Sequence, residues 1–282
     1  MTKSEGKNMK LIHNSYGKGR VRVGKVVRDG ATHTFVEYTV HINLEGALED
    51  AYTEADNRLV YPTDTMKNSV YAVASGHDLA SPESFALALS QHFLDAAEHM
   101  TQAKVMVVER PWKRMTFGEQ DHPHSFIGAS GERRTAEATR TRTGVKLLAG
   151  LKELPILKTT QSAFTGFWKD QYTTLPEEED RLLGTNLSAN WEYEAGEAVN
   201  YNEAWSAVRD TLLHTFANHP SESVQHTLYD MGKAVLEGHA AVAEIYLAMP
   251  NVHNIPFDLS RLGLENKREI FVPIDEPHGM IE

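Results

Sequence analysis

The sequence predicts an α+β fold in two tandem halves, each an antiparallel sheet with a pair of helices on one face. Three observations carry this. Period-two alternation marks strands at several places, most clearly from Val36 to Leu44. Helical stripes come in adjacent pairs. The order strand, strand, helix, helix, strand, strand occurs twice, once over residues 1–143 and again over 144–282.

In chain order, Arg20 to Arg28 reads as a strand, and Asp29-Gly30 is a tight-turn pair before the next one. There Val36, Tyr38, Val40, Ile42 and Leu44 alternate with Glu37, Thr39, His41 and Asn43, giving one core face and one polar face. In YPTDTMKN, Tyr61 to Asn68, Pro62 favours an extended or turn geometry, and Thr63-Asp64 are of the type that caps a helix opening at Thr65. Ser81 reads as the cap of a second helix with Pro82 in its first turn. Its stripe is Phe85, Leu89, His92, Phe93 and Ala96, which makes His92 a hydrogen-bonded core histidine rather than a ligand.

Lys104 to Met115 returns to strand, with Pro111 marking an edge or a bulge, and a polar loop carrying His122-Pro123-His124 follows. Beside that histidine pair no carboxylate or third histidine stands at a zinc spacing, so no metal site is expected. Thr135, Glu137, Thr139, Thr141 and Thr143 then alternate with Arg134, Ala136, Ala138, Arg140 and Arg142. This is strand periodicity without an apolar face, and it suits a channel-lining strand or an exposed ribbon equally.

The second half opens with strands at Val145 to Lys158 and Leu187 to Tyr193. Two helical stripes follow, Trp205, Val208, Leu212, Phe216 and then Val224, Leu228, Met231, Val235, separated by His219-Pro220-Ser221. Strand signals resume at Ala241 to Met249 and at Glu269 to Val272. Each half leaves sheet edges open, and pairing between copies of the chain is a natural way to close them, so a homo-oligomer is expected.

With 282 residues, 41% hydrophobic and 24% charged, the chain is long enough for two ordinary domains. It has no apolar run of the roughly 20 residues that a membrane span needs. A net charge of −11 argues against general nucleic-acid or anionic-membrane binding, which require a cationic surface. It leaves room for a small anion held by one or two local arginines. The absence of cysteine excludes disulfides, thiol nucleophiles and cysteine metal sites. No signal peptide or peroxisomal tail is evident, and a cytoplasmic location is expected.

One stretch has poor amphipathic regularity: Leu154 to Arg181, LPILKTTQSAFTGFWKDQYTTLPEEEDR. Phe164 and Phe167 flank Gly166, and Arg181 follows the acidic run Glu177 to Asp180, which can orient its guanidinium or compete for it. A planar ring beside a planar fork suits a flat anionic ligand. The same residues also read as core aromatics beside a solvated arginine.

This stretch resembles the signature of the urate oxidase (uricase) family, through Leu157-Lys158-Thr159-Thr160, Ser162, Phe164, Phe167, Tyr172, Leu175 and Arg181. YGK at Tyr16 to Lys18, YPTDTMKN, HPHSF at His122 to Phe126, SVQ at Ser223 to Gln225 and PNVH at Pro250 to His253 look like its other motifs in the same order. The resemblance implies tandem tunnelling-fold domains, closing into a barrel by dimerisation and stacking into a homotetramer with a central tunnel. It also implies oxidation of urate by molecular oxygen to 5-hydroxyisourate and hydrogen peroxide, with neither metal nor organic cofactor. Carried over by motif, Arg181 and Gln225 would clamp opposite edges of the purine and Phe164 would stack on it. Val224 and Leu175 would wall the pocket, and Asp64 and Thr63 would meet the five-membered ring. Lys18 and Thr63 would form the base system, His253 would complete the proton relay, and Asn251 with Thr63 would hold oxygen. Lys18 and Thr63 would come from one subunit and Arg181 and Gln225 from its neighbour. The residues flanking Phe164, Ala163 and Thr165, depart from the eukaryotic pattern, as does the missing peroxisomal tail.

Two other functions compete on sequence grounds. A zinc-dependent purine or pterin enzyme of the same fold needs cysteine and histidine ligands that are not presented here. A non-catalytic purine-binding protein would need Arg181, Gln225 and Phe164 but would have no use for Lys18.

Overall fold

Strong alternation near the start of the chain sets up the first of two units, Met1–Ala149 and Gly150–Glu282. The computed structural model describes residues 2–3, 9–129, 131–194 and 199–282. A short ribbon of β1 (Thr2–Lys3) and β2 (Met9–Lys10) precedes the hairpin of β3 (Tyr16–Asp29) and β4 (Thr32–Gly46). The turn is Gly30-Ala31, one residue later than the expected pair, because Asp29 still pairs with Thr32 and Gly30 supplies the left-handed φ of 55°. After α1 (Glu49–Thr53), which had no sequence signal, come α2 (Thr63–Gly76) and α3 (Pro82–Ala96). The chain then returns as β5 (Met100–Glu109) and, after a separate hairpin of β6 (Trp112–Phe117) and β7 (Gln120–Gly128), as β8 (Arg133–Thr141). The sheet order in this unit is β8-β5-β4-β3, all antiparallel.

Its core lies between the sheet and α3. Tyr38, Val40, Ile42 and Leu44 of β4 are buried, as are Phe85, Leu89 and Phe93 of α3. Ser81 caps α3 by accepting the Ser84 amide at 3.1 Å, with Pro82 in the first turn, as the sequence predicts. Ala96 is exposed, and Leu94 takes the buried place instead. His92 is half-buried with its ring edge-on to Phe93, and its Nε2 finds no hydrogen-bond partner among the described residues, contrary to expectation. The polar face of β4 is not simply wet either. Glu37 is buried and accepts from Arg22 and from the Trp112 indole at 2.9 Å.

Three readings of the first half need correction. Pro111 separates β5 from β6 rather than bulging one strand, because it cannot continue the ladder. His122 and His124 lie on β7, not in a loop. The strand without an apolar face is half core: Ala136 and Ala138 of β8 are buried against α3, and their small size leaves room for two long side chains to reach the helix. Arg134 forks onto Glu83, with Nη2–Oε2 at 2.7 Å and Nε–Oε1 at 3.2 Å, and Arg140 donates to the Ser90 hydroxyl at 3.2 Å.

The second unit repeats the plan. The units divide inside β9 (Val145–Lys158), between Ala149 and Gly150, whereas the sequence reading placed the division after residue 143. β10 (Leu183–Tyr193) follows the irregular stretch, then α4 (Tyr201–Asn218) and α5 (Val224–Gly238), capped by Asn200 and Ser223. Val208, Leu212 and Phe216 of α4 are buried with Val224, Thr227, Met231 and Val235 of α5. The chain returns as β11 (Val242–Ala248), β12 (Asn251–Pro256) and β13 (Phe271–Gly279). Here β10 pairs with β11 through its second part and with β12 through Gly184 and Thr185, in the order β9-β10-β12-β13. β12 was not foreseen, and β13 lies later than the Glu269 to Val272 signal.

Glu83 is fully buried and its carboxyl is pushed up by burial, against the pull of Arg134. Removing only the acid takes away the buried carboxylate on which Arg134 forks. Glu83→Ala is therefore expected to cost about 3–5 kcal/mol, read as a lowered urea midpoint, whereas replacing an exposed acid such as Glu98 should change little.

Candidate active site

The predicted site residues fall into two groups, one in each unit. In the first, Gly17 can only be glycine, since a Cβ there would lie 1.8 Å from the Ile42 carbonyl oxygen. Directly after it the β3–β4 register shifts between Lys18 and Val21, with Arg20 at a φ of 59°, so Lys18 stands at a β-bulge. Bulges re-aim a side chain out of a regular ladder. The Tyr16 hydroxyl donates to the Tyr61 carbonyl at 3.0 Å and accepts the Tyr61 amide at 2.7 Å, which ties the start of β3 to the approach of α2.

Thr63 and Asp64 are the first residues of α2, not its caps, and Pro62 sits at the cap position without a side-chain bond. The asparagine and lysine one turn on engage Asp64: Lys67 Nζ at 2.5 Å and Asn68 Nδ2 at 3.0 Å. Its carboxyl is held below the usual range first by Lys67, with Lys18 adding a smaller charge effect. Lys18, Thr63 and Asp64 therefore share one neighbourhood, and Tyr16 is the brace that sequence reasoning did not single out.

In the second unit the irregular stretch leaves the ladder after β9 ends at Lys158, and from Thr159 to Arg181 it finds partners on both sides. Phe164 and Glu178 exchange backbone bonds at 2.7 and 3.1 Å, and the Arg181 amide donates to the Ser162 carbonyl at 2.7 Å. On the other side Ala163 donates to the Ser221 carbonyl at 2.7 Å, and Ser221 donates to Gln161 at 2.9 Å. The buried Thr227 hydroxyl then donates to Ser221 Oγ at 2.7 Å, so the start of α5, with Val224 and Gln225, is stitched to the same segment.

The result is a cleft of about 370 Å³, within the range of small-molecule sites, whose lining includes Phe164, Leu175, Arg181, Asn251, His253 and Arg268. Asn251 and His253 stand two apart on β12. Phe164 stacks on Phe167 with centroids 4.8 Å apart, and the Arg181 guanidinium carbon lies 5.2 Å from the Phe164 centroid. Val224 is buried and Gln225 exposed at the entry to α5, and neither lines this cleft.

The acidic run does not claim Arg181. Glu177 pairs with Lys169, Glu178 with Arg268 at 3.2 Å, and Asp180 accepts from Thr160 at 2.9 Å. Burial lowers the hold of Arg181 on its proton, opposed by the charge of Glu178. Its Nε is buried with no hydrogen-bond partner among the described residues. A buried donor of this kind, in an open cleft beside an aromatic face, is matched to an acceptor on a ligand.

The model of the uricase family matches residues 14–139 and 147–282. The chain is 39% identical to a uricase of Arthrobacter globiformis, over 99% of this chain and 90% of that one. It is 36% identical to a uricase of Oryctolagus cuniculus, over 99% and 95%. Among solved structures, the uricase of Arthrobacter globiformis superposes with a TM-score of 0.92 at 38% identity, covering 98% of this chain and 94% of that one. A urate oxidase of Bacillus sp. TB-90 has a TM-score of 0.81 at 23% identity, over 95% and 97%, a likeness of fold. The chain belongs to the uricase family.

Tyr16→Phe removes both bonds that brace Lys18 against the α2 approach and leaves the Tyr61 amide unpaired. We expect a loss of about 1–3 kcal/mol in stability and a larger fractional loss in the rate of urate consumption than in urate affinity. An unchanged rate in a variant of normal melting temperature would contradict the bracing role.

Proposed function

We propose that the protein is a urate oxidase: urate, molecular oxygen and water give 5-hydroxyisourate and hydrogen peroxide, and neither a metal nor an organic cofactor takes part. The observation that carries this reading is the buried, unpartnered Nε of Arg181 in a cleft that also holds Phe164, Asn251 and His253. Two parallel N–H groups of a guanidinium match two acceptors on one edge of a flat anionic purine. Phe164 supplies the ring face and Leu175 an apolar wall; Val224 and Gln225, which lie outside the cleft at the start of α5, are assigned by motif to a second wall and to a donor and an acceptor for the opposite edge.

Removal of a further proton from urate makes the ring electron-rich enough to pass charge to oxygen. Lys18 with Thr63 takes that proton, His253 completes the relay, and Asp64 with Thr63 meets the five-membered ring. Asn251 and Thr63 hold oxygen, and later water, above the ring, so that peroxide formed at C5 leaves and hydroxide takes its place.

Lys18, Thr63 and Asp64 belong to one unit of the chain and Arg181, Gln225 and His253 to the other. In the reading offered here each working site takes the first group from one subunit and the second from its neighbour. The assembly is a cytoplasmic homotetramer of tunnelling-fold domains closed into a barrel. No described helix is long and apolar enough to cross a membrane.

The test is to mix metal-stripped protein with urate and air and to follow urate absorbance together with peroxide. Consumption of urate with one peroxide per urate is expected. Lys18→Met should keep urate binding and lose at least about a hundredfold in turnover, in line with the loss of a positioned base. Consumption that returns only with added metal, or equal losses of binding and turnover in Lys18→Met, would overturn the proposal.

A further inference from the structure

Outside the cleft, two imidazoles and one carboxylate converge where α4 gives way to α5. His219 lies just past the end of α4, and His226 and Asp230 lie one turn apart on α5. Asp230 Oδ2 is 3.0 Å from His219 Nδ1 and 3.8 Å from His226 Nε2. One ligand atom from each of the three lies within 4.8 Å of the others, and this is the one such group among the described residues. The two imidazole rings meet edge to face, with centroids 4.5 Å apart.

Protein hydrogen bonding does not account for this arrangement. The contact of His219 with Asp230 is a normal bond, but His226 Nε2 approaches the same oxygen from 3.8 Å, beyond hydrogen-bond reach. Around a tetrahedral ion with bonds near 2.1 Å, neighbouring ligand atoms stand about 3.4 Å apart, and the two measured separations fall on either side of that value.

We propose that His219, His226 and Asp230 form a three-ligand site for a borderline divalent transition metal such as Zn²⁺ or Co²⁺, with a fourth position open to water. Imidazole and carboxylate are the donor set of such ions, whereas Ca²⁺ and Mg²⁺ prefer all-oxygen shells. His219 is nearly buried and fixed, while His226 and Asp230 are partly exposed and give the ion a way in. The charge of Lys158, whose ammonium donates to the His219 carbonyl, works against a second cation, and Glu222 offsets it. Binding clips the connection after α4 to the second turn of α5. The site is independent of the proposed reaction, which uses no metal.

The test is a Co²⁺ titration of the metal-stripped full-length protein, followed by visible absorption. The expected result is one equivalent bound per chain with the intense bands of four- or five-coordinate Co²⁺, displaced by Zn²⁺. His226→Ala and Asp230→Asn should each weaken binding by about tenfold or more, while His124→Ala leaves it unchanged. No saturable spectrum in the folded wild type would overturn the proposal. So would a spectrum and affinity that both His226→Ala and Asp230→Asn retain.

Discussion

A backbone segment that leaves the ladder must satisfy its donors and acceptors elsewhere, and between Thr159 and Arg181 that requirement fixes the site. The segment is held on one side by an isolated bridge to its own returning end, through Phe164 and Glu178, and on the other by the turn before α5, through Ala163 and Ser221. Those bonds set where the Phe164 ring and the Arg181 guanidinium lie. They also explain why Arg181 can remain unpaired, because Lys169, Arg268 and Thr160 occupy the carboxylates that would otherwise quench it.

The first unit solves the same problem with different parts. Gly17 lets two strands approach where no side chain fits, the bulge after Lys18 takes that residue out of register, and Tyr16 ties it to the start of α2. Each unit therefore carries a few side chains aimed away from a regular sheet, and the sheets themselves are scaffolds. β8 shows how little grease such a scaffold needs: Ala136 and Ala138 bring α3 close, and Arg134 and Arg140 reach up to polar groups on it.

Much of this was legible in the sequence, and the misses have physical causes. Long alternations such as Val36 to Leu44 and the Ser81-Pro82 helix start are strong local signals, and they held. β12 was missed because Asn251 to Pro256 is short and polar, and its strand state comes from pairing with β10 and β13. Thr63 and Asp64 looked like caps by type, yet the backbone turns helical two residues earlier than expected, at Thr63. Phe164, Arg181, Asn251 and His253 were all named from motifs, but motifs do not say which of them share a cleft. The metal-ligand group escaped notice because His219 is separated from His226 and Asp230 by the break between helices, so no familiar spacing announces it.

The central claim of the proposed function is that the base system, Lys18 with Thr63, and the substrate clamp, Arg181 with Gln225, are drawn from different copies of the chain. It is tested most directly with two inactive variants, Arg181→Ala and Lys18→Met. Each is purified, and the two are then dissociated together and reassembled. Hybrid oligomers should regain urate oxidation, approaching one quarter of the wild-type rate for random pairing, since a quarter of the shared sites then receive both intact halves. Well-folded hybrids with no more activity than either parent would contradict the account.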